Sequence, residues 1–175
     1  YGVYSNLGTS SSRIRNFSSI FTAEAEGIKR ALRFILVSPT INGKYVIFSD
    51  SKSVLESLQN FSNKNTVIKE SIDLIQRILS SRKTVKFCWV PGHVGIRGNE
   101  NADLAAKRAQ RREEPPHYRL PYTDMFPKVS AFVKQKWQNR WNLADEARPN
   151  KLFSIQSEIK PFDTHGLTRK EETVI

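Results

Sequence analysis

The sequence predicts an α/β domain with a mixed sheet, followed by a helical extension. Three observations carry this prediction. Segments with helical apolar period alternate with short β-prone runs, in the order ββ-α-β-α-α-β-α. The run Tyr45-Val46-Ile47-Phe48 is continuously apolar, as in a parallel strand buried on both faces. Pro115-Pro116 then breaks the alternation ahead of another amphipathic stretch.

Residues 1–20 predict a hairpin. Tyr1-Gly2-Val3-Tyr4-Ser5 is β-prone, Asn6 to Ser12 is turn chemistry, and Arg13 to Phe17 alternates. A helix is expected over 21–37, with Thr22 as N-cap and Ala25, Ile28, Ala31, Leu32 and Ile35 in phase. Pro39 and Gly43 end it. The buried strand runs to Asp50, a short helix follows over 51–60, and a longer one over 64–81 carries Val67, Ile68, Ile72, Ile75 and Leu79. Residues 84–90 read as a second strand, 91–98 as a glycine-rich loop, and Asn99 as the cap of an alanine-rich helix. The α/β domain is expected over 1–112, a linker over 113–122 and a helical or irregular extension over 123–175. In that extension a helix over 123–143 places Val129, Val133, Trp137 and Trp141 on one stripe, more suited to packing on protein than to stacking on bases. Lys170 to Ile175 reads as the start of a further helix.

The chain has 175 residues, 38% hydrophobic and 26% charged, which places it among globular rather than disordered sequences. No apolar run approaches the roughly 20 residues of a membrane span. The first 20 residues are polar and serine-rich, unlike a signal peptide. One cysteine, Cys88, and three scattered histidines exclude an internal disulfide and a zinc cluster, and point to an intracellular setting. The net charge is +11. Residues 1–100 carry 14 basic and 7 acidic side chains, and residues 101–175 carry 14 and 10, so the excess is spread along the chain. Such a balance favours a polyanion, since Lys and Arg release counterions from phosphates.

Three acids stand out. Glu24 is in phase with Ile28, Ala31 and Ile35, so it points toward the sheet. Its neighbour Glu26 shares phase with Lys29, Arg30 and Arg33 and is expected on the solvent face. An acid on an apolar stripe is costly unless paired or bound to a cation. Asp50 ends the buried strand, where ligands of open α/β sheets gather, although an N-cap has the same residue preference. Asp103 lies beside the face formed by Ala102, Ala105, Ala106 and Ala109. Carboxylates of this kind suit Mg²⁺, a hard cation that keeps some waters and takes oxygen ligands.

Three segments, in order and spacing, resemble the type I ribonuclease H domain: Phe21-Thr22-Ala23-Glu24-Ala25, Ser49-Asp50-Ser51-Lys52-Ser53-Val54, and the run from Trp89 through Pro91-Gly92-His93 and Gly98-Asn99-Glu100 to Asp103. The nearest variety is the domain of reverse-transcriptase polyproteins in jockey-like non-LTR retrotransposons. The resemblance covers about residues 1–112. The segments Leu120 to Asp124, Lys136 to Trp141 and Asn150 to Phe153 also look like the region that follows this domain in such elements.

The resemblance implies a ribonuclease H-like mixed sheet with flanking helices, and hydrolysis of the RNA strand of RNA–DNA hybrids. Glu24, Asp50 and Asp103 become ligands of two Mg²⁺ ions, with Mn²⁺ as the alternative, and Asp50 is shared between them. His93 becomes the histidine that assists proton transfer or product release, while Glu100 is read as an acceptable first-turn helix acid with no functional duty. Ser51, Lys52 and Arg97 are substrate-binding candidates from their proximity in sequence. A fused or associated reverse transcriptase is the implied protein partner. The family has a fourth carboxylate, an aspartate on a central first strand that would precede Tyr1, and residues 1–23 contain no acid. The expectation is therefore an impaired metal site and a hairpin without its pairing strand. The alternative reading is a catalytically inactive nucleic-acid-binding remnant. A transposase or integrase fits the Pro91 to Glu100 run less well.

Overall fold

Polar side chains with fixed partners set where the first elements begin. The computed structural model describes residues 1–115, 118–147 and 151–160. Strands β1 (Gly2–Ser5) and β2 (Gly8–Ser11) pair antiparallel from Gly2↔Ser11 to Ser5↔Gly8. The turn is thus tighter than the sequence suggests, and residues 13–17 form no strand. Their polar groups are taken elsewhere: Arg13 Nη1 donates to Arg112 O at 2.6 Å and the Asn16 backbone N–H to Glu114 Oε1 at 2.7 Å.

Helix α1 (Ile20–Val37) starts one turn earlier than Thr22 would place it. Ser19 is the cap, its Oγ accepting from the Thr22 N–H at 3.1 Å, while Thr22 itself is fully buried. Asp124 in turn accepts from both the N–H and the hydroxyl of Ser19, each at 2.9 Å. At the other end the buried Lys83 donates to Ile35 O, Leu36 O and Ser38 O at 3.1, 2.9 and 2.6 Å. A cation there satisfies carbonyls that the helix leaves open and complements its dipole.

Strands β3 (Lys44–Ser49) and β4 (Thr84–Trp89) pair parallel from Lys44↔Thr84 to Ser49↔Trp89. Between them lie α2 (Lys52–Ser57) and α3 (Thr66–Ser80), the latter capped by Asn65, whose Oδ1 accepts from the Val67 N–H at 2.9 Å. The core joins α1, α2, α3 and β3 through Ile28, Leu32, Ile47, Val54, Ile68 and Ile78. Each large apolar side chain buried there contributes roughly 1.5–3 kcal/mol. Ile78 and Leu74 fill the place expected of Leu79, which is 53% exposed.

The strands do not form one mixed sheet. Among the described residues they make two separate two-stranded sheets, β1–β2 and β3–β4. Nor is β3 buried on both faces: Ile47 and Ser49 are buried, but Val46 and Phe48 are 51% and 63% exposed. Helices α1 and α3 supply cover on one side only, so the apolar run reflects β-propensity on the other. The hairpin packs instead against α4 (Arg97–Ala109). Any Cβ on Gly2 would run into the backbone of Ala102, so glycine on the strand and alanine on the helix permit this approach.

Two compact units emerge, Tyr1–Met125 and Phe126–Ile175. Helix α5 (Tyr122–Ala147) begins in the first and continues into the second, which also contains α6 (Lys151–Ile155). In the second unit Trp141 stacks on Phe153 with ring centroids 6.4 Å apart and donates from Nε1 to Gln156 O at 3.1 Å. Trp137, expected on the same buried stripe, is 59% exposed. The helix start expected at Lys170 to Ile175 lies outside the described residues.

Candidate active site

The end of β3, the loop after β4, the first turns of α4 and the early part of α1 bring the sequence candidates into one region. Glu24 sits in the second turn of α1, half-buried. Its carboxyl pKa is raised above the ordinary value, first by burial and then by the negative charge of Asp50; Asp103 adds to this and the Tyr1 ammonium opposes it. Glu24 on α1 therefore feels acids from the end of β3 and from α4, both far from it in sequence.

Asp50 is half-buried at the strand end and held on several sides. Asn99 Nδ2 donates to its Oδ2 at 2.9 Å, and Trp89 Nε1 donates to its backbone oxygen at 3.1 Å. Gly92 lies so close that an added Cβ would stand 3.1 Å from Asp50 Oδ2. Asn99 is therefore not the cap of α4. That position is Ile96, which offers no side-chain cap, and Asn99 lies inside the first turn with its amide committed to Asp50.

Asp103 Oδ2 accepts from Lys107 Nζ at 2.7 Å, an i,i+4 pair on α4. His93, Glu100 and Asp103 have ligand atoms all within 4.8 Å of one another. His93 is exposed and holds the left-handed backbone conformation, φ 57°. A non-glycine residue there costs about 1–3 kcal/mol, a strain that often marks functional loops. Glu100, which the sequence reading took for a plain first-turn helix acid, is thus beside both. Ser51 caps α2 by position without a side-chain cap bond, Lys52 opens that helix, and Arg97 opens α4; both basic side chains are exposed.

The donor set suits a hard divalent cation. It consists of carboxylate oxygens with one imidazole nearby, and the raised pKa of Glu24 reflects burial first and neighbouring carboxylates second, both of which a bound cation would offset.

Glu26 corrects the sequence reading. It is buried, 7% exposed, not solvated. Lys29 Nζ donates to its Oε1 at 2.6 Å and to Glu70 Oε2 at 2.9 Å, and the Tyr118 hydroxyl donates to Glu26 Oε1 at 3.1 Å. Helical phase alone gave the wrong environment, because α3 and the segment around Tyr118 cover that side of α1. A hint lay in the i,i+3 spacing of Glu26 and Lys29, which suits a pair whether exposed or buried.

The RNase H family profile matches residues 1–111. The chain is 32% identical over 114 residues to the Ribonuclease H of Pseudomonas syringae pv. syringae, an alignment covering 61% of this chain and 73% of that protein. It is similar to the same degree, over the same shares, to the Ribonuclease HI of Pseudomonas syringae pv. tomato. No solved structure matches it. No described helix is long and apolar enough to cross a membrane. The profile match over residues 1–111, a span that contains Glu24, Asp50 and Asp103, together with relatives 32% identical, shows that this chain belongs to the RNase H family of enzymes.

Proposed function

We propose that the chain hydrolyses the RNA strand of RNA–DNA hybrids at a divalent-metal site built on Glu24, Asp50 and Asp103. The observation that carries this reading is the grouping of Glu24 from α1, Asp50 from the end of β3 and Asp103 from α4 in one region, with His93 and Glu100 beside Asp103 and Asn99 of α4 on Asp50. Two Mg²⁺ ions, with Mn²⁺ as the alternative, suit the carboxylate oxygens, and Asp50 is read as the ligand shared between them, as the family resemblance implies. When bound, such ions supply Lewis-acid charge and lower the pKa of coordinated water.

The chain's own residues do the rest. Glu24, Asp50 and Asp103 hold the charge that selects a divalent cation at the scissile phosphate. His93, on its strained loop beside Glu100, holds or moves a proton at the departing 3′ oxygen, which leaves a 5′ phosphate on the other product. Ser51, Lys52 and Arg97 contact the phosphodiester backbone, so recognition rests on groove shape and 2′-hydroxyl groups rather than on base identity. The segments Leu120 to Asp124 and Lys136 to Trp141 support a further reading, that the chain derives from a retroelement polyprotein and works beside a reverse transcriptase.

The test is substrate choice. With Mg²⁺, the chain should cut the RNA of a hybrid and leave single-stranded RNA and duplex DNA intact, and a chelator should stop it. Tight hybrid binding without cleavage at any Mg²⁺ or Mn²⁺ concentration would instead identify a binding module that has lost catalysis.

A further inference from the structure

We propose that Asn99 is the positioning residue for Asp50, with Gly92 fixing the space in which the carboxylate sits. The inference deepens the reading of Asp50 as a metal ligand and rests on it. Asn99 Nδ2 reaches Asp50 Oδ2 at 2.9 Å from the first turn of α4. Asn99 is the third residue of α4, not its cap, so its side chain projects from the first turn toward the strand end. Its Nδ2 donor bridges α4 to a residue 49 positions away in the chain.

The chemistry of the donor matters. A lysine or arginine at this place would neutralise Asp50 and compete with a metal cation for it, as Lys107 pairs with Asp103 at 2.7 Å. A neutral amide orients one oxygen, leaves the full negative charge on the group, and frees the other oxygen for a ligand. Gly92 closes the same side: a Cβ there would stand 3.1 Å from Asp50 Oδ2 and force the carboxylate or the loop to shift by a few tenths of an ångström. Trp89, whose Nε1 donates to Asp50 O at 3.1 Å, anchors the backbone below. Strand end, loop and helix thus converge on one carboxylate, and this accounts for three positions of the Trp89 to Asp103 run that the three acids alone do not explain. Outer partners of this kind typically change metal affinity by about 10- to 100-fold when removed.

The experiment measures Mn²⁺ binding to the full chain by electron paramagnetic resonance, alongside the thermal midpoint in chelator. Asn99→Ala should weaken Mn²⁺ binding about 10-fold or more, with the metal-free midpoint essentially unchanged. Gly92→Ala, which leaves the amide in place but crowds Asp50, should weaken it in the same direction and carries the test if Asn99→Ala does not fold. Asp50→Asn is the control for the underlying reading: if it leaves Mn²⁺ binding intact, the metal site itself is misplaced. If Asp50→Asn abolishes binding while Asn99→Ala and Gly92→Ala bind as tightly as the native chain, the positioning role is overturned and the metal site stands. A lowered metal-free midpoint with unchanged Mn²⁺ affinity would also overturn it, since that is the signature of a purely structural asparagine.

Discussion

At the scale of single residues, the site is held in electrostatic tension. Glu24 has its carboxyl pKa raised by burial and by Asp50, so its ionised form opposes folding. The sign follows from linkage. A group whose folded pKa lies above its unfolded value contributes stability that is fully present below the unfolded value, about 4 for Glu, and lost as pH rises through the folded one. Glu24→Gln mimics the protonated state. In chelator at pH 7 it should raise the thermal midpoint above that of the native chain, and below pH 4 the advantage should vanish; a midpoint at or below the native one at pH 7 contradicts this electrostatic picture. The residue scale is also where the sequence was most and least legible. Helical phase drew Glu24 toward the sheet, and it is half-buried there beside Asp50. The same phase misjudged Glu26, because nothing in a helical period records that α3 and residue 118 cover that side. Asn99 was misread for a similar reason: its local preference is capping, and its actual partner is 49 residues away.

At the scale of elements, α1 is tied at both ends to distant parts of the chain, by Ser19 and Asp124 at one end and by Lys83 at the other. Lys83→Met keeps the apolar stem but leaves the Ile35, Leu36 and Ser38 carbonyls short of a donor. The expected loss is about 1–3 kcal/mol, read as a lower midpoint in thermal or urea unfolding; an unchanged midpoint would show that water takes over the cap. Tyr118 gives a second element-level prediction. Burial, then the charge and hydrogen bond of Glu26, push its phenol pKa far upward, so it stays neutral in the fold. Its contribution is fully present below the ordinary tyrosine value, about 10, and falls as pH rises above it. Tyr118→Phe should cost about 1 kcal/mol at neutral pH and flatten the alkaline loss of stability; equal alkaline slopes for the two proteins would refute this. The order of helices and strands was readable from apolar period, and their limits shifted by a few residues where caps came from distant partners. Apolar period alone does not read the two separate sheets, because strand pairing leaves no periodic trace; the expectation of a hairpin without its pairing strand came from the family resemblance.

For the whole molecule, the charge of +11 is the property that sequence gives directly. Hybrid binding should weaken steeply with salt, as counterion release requires. A titration between about 50 and 200 mM salt that shows no change in affinity would mean that the basic excess does not face the substrate. Charge of this kind serves a nuclease and a passive binding module equally, so it cannot decide between them; the carboxylate site can. The most direct measurement is single-turnover cleavage of an end-labelled RNA–DNA hybrid with Mg²⁺, comparing the native chain with Asp50→Asn. The expected result is RNA fragments bearing 5′ phosphates from the native chain and a severe loss of cleavage in the variant, with hybrid binding retained. Equal cleavage by both proteins, or none by the native chain, would contradict it.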